Sequence, residues 1–382
     1  MSQSVRTEIL THYGATPSEV EELLAYNNNV FVPVEFDSLP AFPLSPEPHL
    51  ETWETYLIQA QQQGVFATLR SQLVQLQFPI LAGLSETENY RLATRKGYLT
   101  STMPEATGLV LQHPETLQLN LYESLAGKIP VIIAGCREDF VTLVQALLKR
   151  NEPVPIPDSM GAVMVAGYNN WERIRTYRMQ WESQQIQLPT EAAWQAEFKQ
   201  LIPQKQRYQD RFIILSSGGY SGVTASDMGM SEQEWLQISL TIRLEHECTH
   251  YFTRRLLGSM RNNLMDELIA DYRGIVAGNS GNYRADWFMR FLGLEAYPEY
   301  RQGGRMENYR GEPPLSAGAF QVLHALVKDA AHNLEKFHRN YAKELSDVLN
   351  QGKFIVALTR LTLEELANPE TQVLSDLETT WK

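Results

Sequence analysis

The chain predicts an α+β protein in which an N-terminal mixed α/β region, residues 1–190, precedes a mainly helical domain, residues 191–382. Three observations carry that expectation. Short apolar runs at 131–134, 161–166 and 211–215, bounded by Gly, Pro or Ser, have the length of strands. An amphipathic run at 137–150 separates the first two, as helices do in mixed α/β structure. Beyond residue 231 the apolar residues recur at helical spacing and the strand pattern stops. With 382 residues, 43% of them hydrophobic, the chain can bury a core large enough for two domains.

Taken in order, Thr16-Pro17-Ser18-Glu19 opens a short helix, with threonine as cap and proline in the first turn. Residues 31–49 are Pro-rich and extended, and 51–77 are helical apart from Gly64. Pro130 leads into a buried strand at 131–134, followed by the amphipathic helix 137–150, a loop at 153–157 and a second strand at 161–166. The polar stretch 181–206, helical between Pro189 and Pro203, links this region to the C-terminal domain. A third strand, 211–215, ends in Ser216-Ser217-Gly218-Gly219-Tyr220-Ser221-Gly222. That segment lacks the lysine and following hydroxyl residue of a phosphate-binding loop, so it is not read as a nucleotide site. Nothing in residues 1–190 carries recognisable chemistry, and the chain has no repeats or low-complexity segments.

The chemistry concentrates further on. Ser231-Glu232-Gln233-Glu234 reads as a capping box, and Leu236, Leu240, Leu244, Cys248, Phe252 and Leu256 then form one apolar stripe. The pentad His246-Glu247-Cys248-Thr249-His250 lies on this helix. Residues four apart share a helix face, so His246 and His250 can hold one metal ion while Glu247 turns toward water bound there. Gly258 is the expected stop, and Asn262 or Asn263 the expected cap of a second helix carrying Leu264, Glu267, Leu268 and Asp271. Neutral imidazoles and a carboxylate suit Zn2+, whose catalytic sites keep three protein ligands and one open position. His246, His250 and Glu267 are the expected ligands, with Glu247 as general base and acid. Cys248 continues the leucine stripe and is read as a small buried hydrophobe.

The pentad, followed by Glu267 and, four residues later, Asp271, resembles the gluzincin branch of the zincin metallopeptidases over residues 231–278. The thermolysin-like members are the nearest comparison. The resemblance implies a zincin-like fold for the C-terminal domain and zinc-dependent hydrolysis of a peptide or peptide-like amide. It also implies that Asp271 accepts the free N–H of His246, and that the strand 211–215 lies on the cleft rim and pairs with an extended substrate.

The chain departs from the family pattern in three places. The interval from His250 to Glu267 is a few residues short, which calls for a tight turn at 258–261. Arg243 stands where a small or apolar residue is usual and is expected to pair with Glu247 or substrate. The Asp-Gly-Gly-Val-His segment that supplies a transition-state histidine has no copy downstream. Its replacement is sought on the helix 316–345, where His324 shares an apolar face with Phe320, Leu323, Val327, Ala331 and Leu334, and His332 faces water. His324 is the candidate donor to the transition state, a satisfied core histidine being the other reading. The Gly- and Pro-containing stretch 297–314 is a candidate lid, its arginines available to a substrate carboxylate.

Two other functions stay open: a non-catalytic binding or regulatory protein on a zincin scaffold, and a zinc hydrolase acting on a modified-peptide or non-peptide biosynthetic substrate. The formal charge of −12 argues against nucleic acid or an anionic membrane as partner, since both require a basic face. Cys136 and Cys248 are the only cysteines and indicate no disulfide framework. The first residues are polar, and no apolar run approaches the roughly twenty residues of a membrane span. A reduced, cytoplasmic setting is expected, with a peptide-like substrate as the partner.

Overall fold

A computed structural model describes residues 2–187, 189–259 and 264–369. It shows the expected α+β class: helices throughout, dominant toward the C-terminus, and one four-stranded mixed sheet. The chain divides into two compact units, one of Met1–Leu44, Ser124–Ala126 and Gly219–Lys382, the other of Ser45–Glu123 and Gly127–Gly218. This differs from the linear division expected at residue 190. The N-terminal helices belong with the C-terminal ones, and residues 191–218 belong with the sheet, because their strand pairs inside it.

In the sheet unit the strands β1 (Gln118–Ser124), β2 (Gly127–Ala134), β3 (Ala162–Asn169) and β4 (Gln209–Ser216) lie in the order β1-β2-β4-β3. β4 runs parallel to β2, with Val131 opposite Ile213, and antiparallel to β3, with Met164 opposite Ile213. Residues 211–215 therefore do not form the substrate-pairing rim strand expected from the sequence. Phe212, Ile213, Ile214 and Leu215 are all buried, as expected of an interior strand covered on both faces. Both backbone edges of β4 are already engaged, and strand addition needs an open edge.

The helix Arg137–Leu148 covers this sheet, packing Phe140, Leu143 and Val144 into one core with Trp53, Leu69, Ile132 and Ile214. Below it Asp210, fully buried, pairs with Arg173 at 2.8 Å and accepts from Trp53 Nε1 at 2.9 Å and Asn170 Nδ2 at 2.7 Å. With three donors around it, this buried carboxylate avoids the penalty of an unpaired charge. Gly64, at φ +87°, divides the helical run 51–77 into Leu50–Gln63 and Val65–Gln72.

The helical unit is built on two long helices, Glu232–Leu257 and Leu264–Gly278. Ser231 Oγ accepts from Glu234 N at 3.3 Å to start the first, and Gly258, at φ +67°, ends it. Arg261, Asn262 and Asn263, where the tight turn and the second cap were expected, lie outside the described residues. The two helices run antiparallel along one seam: Ile238 meets Gly278, Ile242 meets Gly274, His246 meets Asp271, and His250 meets Asp266 and Glu267. Gly274 sets how close they come, since a Cβ there would lie 2.7 Å from the Ile242 carbonyl oxygen. Glu245 and Arg273 cross the same seam as a buried ion pair at 3.1 Å. The helix Ala317–Asn340 begins at Ser316, whose Oγ accepts from Ala319 N at 3.3 Å. Among the described residues no helix is long and apolar enough to cross a membrane.

Candidate metal centre

The close helix seam buries His246, His250 and Glu267 together, each under a tenth exposed. The two Nε2 atoms stand 3.1 Å apart, and the Glu267 carboxylate oxygens lie 3.5 Å from each. A tetrahedral zinc bound at about 2.0–2.1 Å by each ligand spaces its ligand atoms by about 3.3 Å. The observed separations match that spacing. Chemistry points the same way. His246 Nδ1 lies 2.8 Å from Asp271 Oδ1, and His250 Nδ1 lies 3.2 Å from Asp266 Oδ2. These carboxylates favour the tautomers with protons on Nδ1, so that both Nε2 lone pairs and a carboxylate converge on one point. Three converging buried acceptors repel one another unless a cation or shared proton lies between them.

The electrostatics follow from this crowding. Burial opposes ionisation of Glu267, yet its His250 hydrogen bond and the nearby His246 hold its carboxyl well below the usual range. Burial likewise opposes charge on His250, but Asp266 and Glu267 outweigh it and carry the imidazole well above its ordinary value. Asp271 is fully buried, yet Arg305 and His246 keep it ionised. Glu267 and Asp271 are thus buried, partnered carboxylates rather than part of a solvated acidic face.

Further groups, from outside the two helices, hold these carboxylates. Tyr220 donates to Asp271 Oδ1 at 2.5 Å, and its oxygen lies 3.0 Å from His246 Nδ1. Arg305 binds the other Asp271 oxygen and donates to Tyr220 Oη and Ser221 Oγ at 3.0 Å each. Tyr309 Oη donates to Glu267 Oε2 at 2.9 Å, and burial keeps this phenol protonated. Glu247, beside the histidines, keeps part of its surface exposed. Desolvation raises its carboxyl against the opposing charges of His246, His250 and Arg243.

Several expected roles are not the ones observed. Arg243 donates to the Gly219 carbonyl at 2.9 Å and lies over the Tyr220 ring, and its charge acts on the Glu247 carboxyl. His324 packs its ring against Phe320 and Tyr300, with Arg310 and Glu307 as charged neighbours, and joins none of the hydrogen bonds to the triad. Its apolar helix face directs it into the packing around those rings. The arginines of 297–314 are committed internally: Arg301 to Glu295, Arg305 to Asp271, and Arg310 to Glu307 and the Phe320 ring. Cys248 is a buried free thiol, as expected, although the stripe it continues is buried only at Cys248 and Phe252, with Leu240, Leu244 and Leu256 half-buried and Leu236 exposed.

Asp266, Tyr220, Arg305 and Tyr309 were not assigned these roles from sequence. Asp266 offers only a weak local signal, adjoining Glu267 on the same helix. The other three come from segments dozens of residues away, with no spacing rule to mark them.

Fold and site together define an α+β protein with a buried centre of two histidines and three carboxylates, braced by two tyrosines and an arginine. The chain belongs to the Family of unknown function (DUF7005), whose model matches residues 8–370. No curated protein and no solved structure matches it.

Proposed function

We propose that this protein is a zinc-dependent hydrolase that cleaves a peptide or peptide-like amide. The observation that carries the reading is the convergence of His246 Nε2, His250 Nε2 and Glu267 at separations of 3.1–3.5 Å, with both Nδ1 atoms facing carboxylates. Bound zinc would supply Lewis-acid polarisation of the scissile carbonyl and of the attacking water. Glu247 would take a proton from the attacking water and return it to the departing nitrogen, and burial raises its carboxyl. Asp271 and Asp266 hold the two imidazoles in their ligating orientation. The amide substrate rests on the resemblance of the pentad and the Glu267/Asp271 pair to thermolysin-like enzymes. A cytoplasmic setting accords with two free thiols.

The near-complete burial of the triad, with Tyr309 on Glu267, favours a second reading in which the metal centre is retained as a scaffold without catalysis. Metal analysis of protein purified without added zinc should give about one equivalent, lost in His246→Ala. Metal retained by that variant would refute the site. Peptide-library profiling with Glu247→Gln as control then separates the readings: Glu247-dependent products support the hydrolase, and their absence supports the scaffold.

A further inference from the structure

Beside the triad lies a cavity of about 790 Å³, formed between the helix Pro17–Tyr26 and residues 307–316. It falls in the range of small-ligand pockets, roughly 300–1,000 Å³. Tyr309 stands between the cavity and the triad: it lines the cavity, is 5% exposed, and donates to Glu267 at 2.9 Å. Tyr26 supplies a second aromatic wall, and burial together with the charge of Glu267 raises its phenol.

The lining has a definite charge. Glu22, Glu307 and Glu312 stand against Arg310, three negative groups and one positive, for a net of −2. The guanidinium is already used, bound to Glu307 at 2.6 Å and stacked over Phe320. Glu22 accepts from Ser316 N at 2.7 Å, which fixes one oxygen and directs the carboxylate at the cavity wall. Glu312 is exposed at the mouth. An acidic cavity with tyrosine walls favours an organic cation, through Coulomb attraction and through the ring faces.

We propose that this cavity is the side-chain pocket of the metal centre and that it selects a substrate carrying a lysine- or arginine-type cation. The proposal rests on the hydrolase reading, and the test separates the two. Full-length Glu247→Gln protein, incubated with zinc, is titrated by calorimetry with three acetylated, amidated pentapeptides. These are alanine throughout except for a central lysine, norleucine or glutamate. The lysine peptide should bind about tenfold more tightly than the norleucine peptide, and the glutamate peptide most weakly. Adding Glu22→Gln or Glu312→Gln should each reduce the lysine preference about two- to fivefold. Ala25→Trp, on the exposed face of its helix, should fill the cavity and weaken every peptide. Equal binding of lysine and norleucine, or a preference unchanged by all three substitutions, would overturn the proposal. Zinc content is measured on the same samples. A lysine preference without bound zinc upholds the pocket and removes the metal reading, and bound zinc without a preference does the reverse.

Discussion

Gly274→Ala tests the helix seam that brings His246, His250 and Glu267 together. Taken alone, replacing an interior helical glycine by alanine stabilises a helix by about 1 kcal/mol, because glycine has more chain entropy to lose. Here the added Cβ would lie 2.7 Å from the Ile242 carbonyl oxygen and 2.9 Å from its Cγ2. The oxygen belongs to the backbone of the pentad helix and cannot swing aside. To regain ordinary contact at 3.4 Å the helices must separate by about 0.7 Å at that level. Overpacking of this kind costs about 1–3 kcal/mol, so a net loss of up to about 2 kcal/mol remains after the helical gain. The midpoint of thermal unfolding should fall by up to about 5 °C. On the zinc reading, binding suffers more than the fold, because metal sites tolerate ligand displacements of only about 0.2 Å. Zinc affinity, measured by competition with a chromogenic chelator, should fall at least about tenfold. Gly278→Ala is the graded control, since its added Cβ meets only isoleucine side chains, at 2.8 and 3.3 Å, which can adjust. A Gly274→Ala protein with unchanged or raised midpoint and undiminished zinc affinity would refute the reasoning. So would an equal effect from both glycines.

Three other expectations follow from the same geometry. Asp266→Asn should weaken zinc binding by about 10–100-fold, as Asp271→Asn should, because each removes the charge behind one imidazole. Chelator competition would expose an Asp266 without influence. Tyr309→Phe removes the donor to Glu267 and should lower zinc affinity by about tenfold or less while leaving the unfolding midpoint within about 2 °C. His338 lies 2.7 Å from Tyr272 Oη through Nδ1 and 2.9 Å from the Gly281 carbonyl through Nε2. Burial lowers this imidazole below its ordinary value, outweighing the Gly281 bond. A depressed histidine contributes stability that is fully present above the unfolded value, about 6.5, and is lost as pH falls through the folded one. The midpoint should therefore drop as pH is lowered below about 6.5, and the drop should be shallower in His338→Gln; parallel pH profiles would exclude His338 as a source.

The features legible in the sequence are those with a local physical rule. His246 and His250 are marked by the helical period, and Glu267 and Asp271 by the same period on the next helix; the structure brings all four together. Thr16, Gly64, Ser231, Gly258 and Ser316 could be read as boundaries because caps and positive φ have chemical requirements of their own. Other readings failed where a pattern has two meanings. The continuous apolar run 212–215 marks a strand without saying whether it lies at a rim or in the interior, and pairing with both β2 and β3 decides for the interior. The apolar face of His324 likewise has two meanings, core packing or catalysis: its ring packs on Phe320 and Tyr300, while its Nε2 is buried with no hydrogen-bond partner among the described residues.

The sequence by itself determined the fold class and which three side chains converge, since both depend on residue type and short-range spacing. Only the tertiary structure decided that residues 1–44 join the helical unit, and that Gly274 lets the two helices approach. It alone also decided that Asp266, Tyr220, Arg305 and Tyr309 brace the centre. The physical reason is separation along the chain. Tyr220 and Arg305 meet at Asp271 from opposite sides of it in sequence, and no periodicity within a helix or strand records where such distant segments come together.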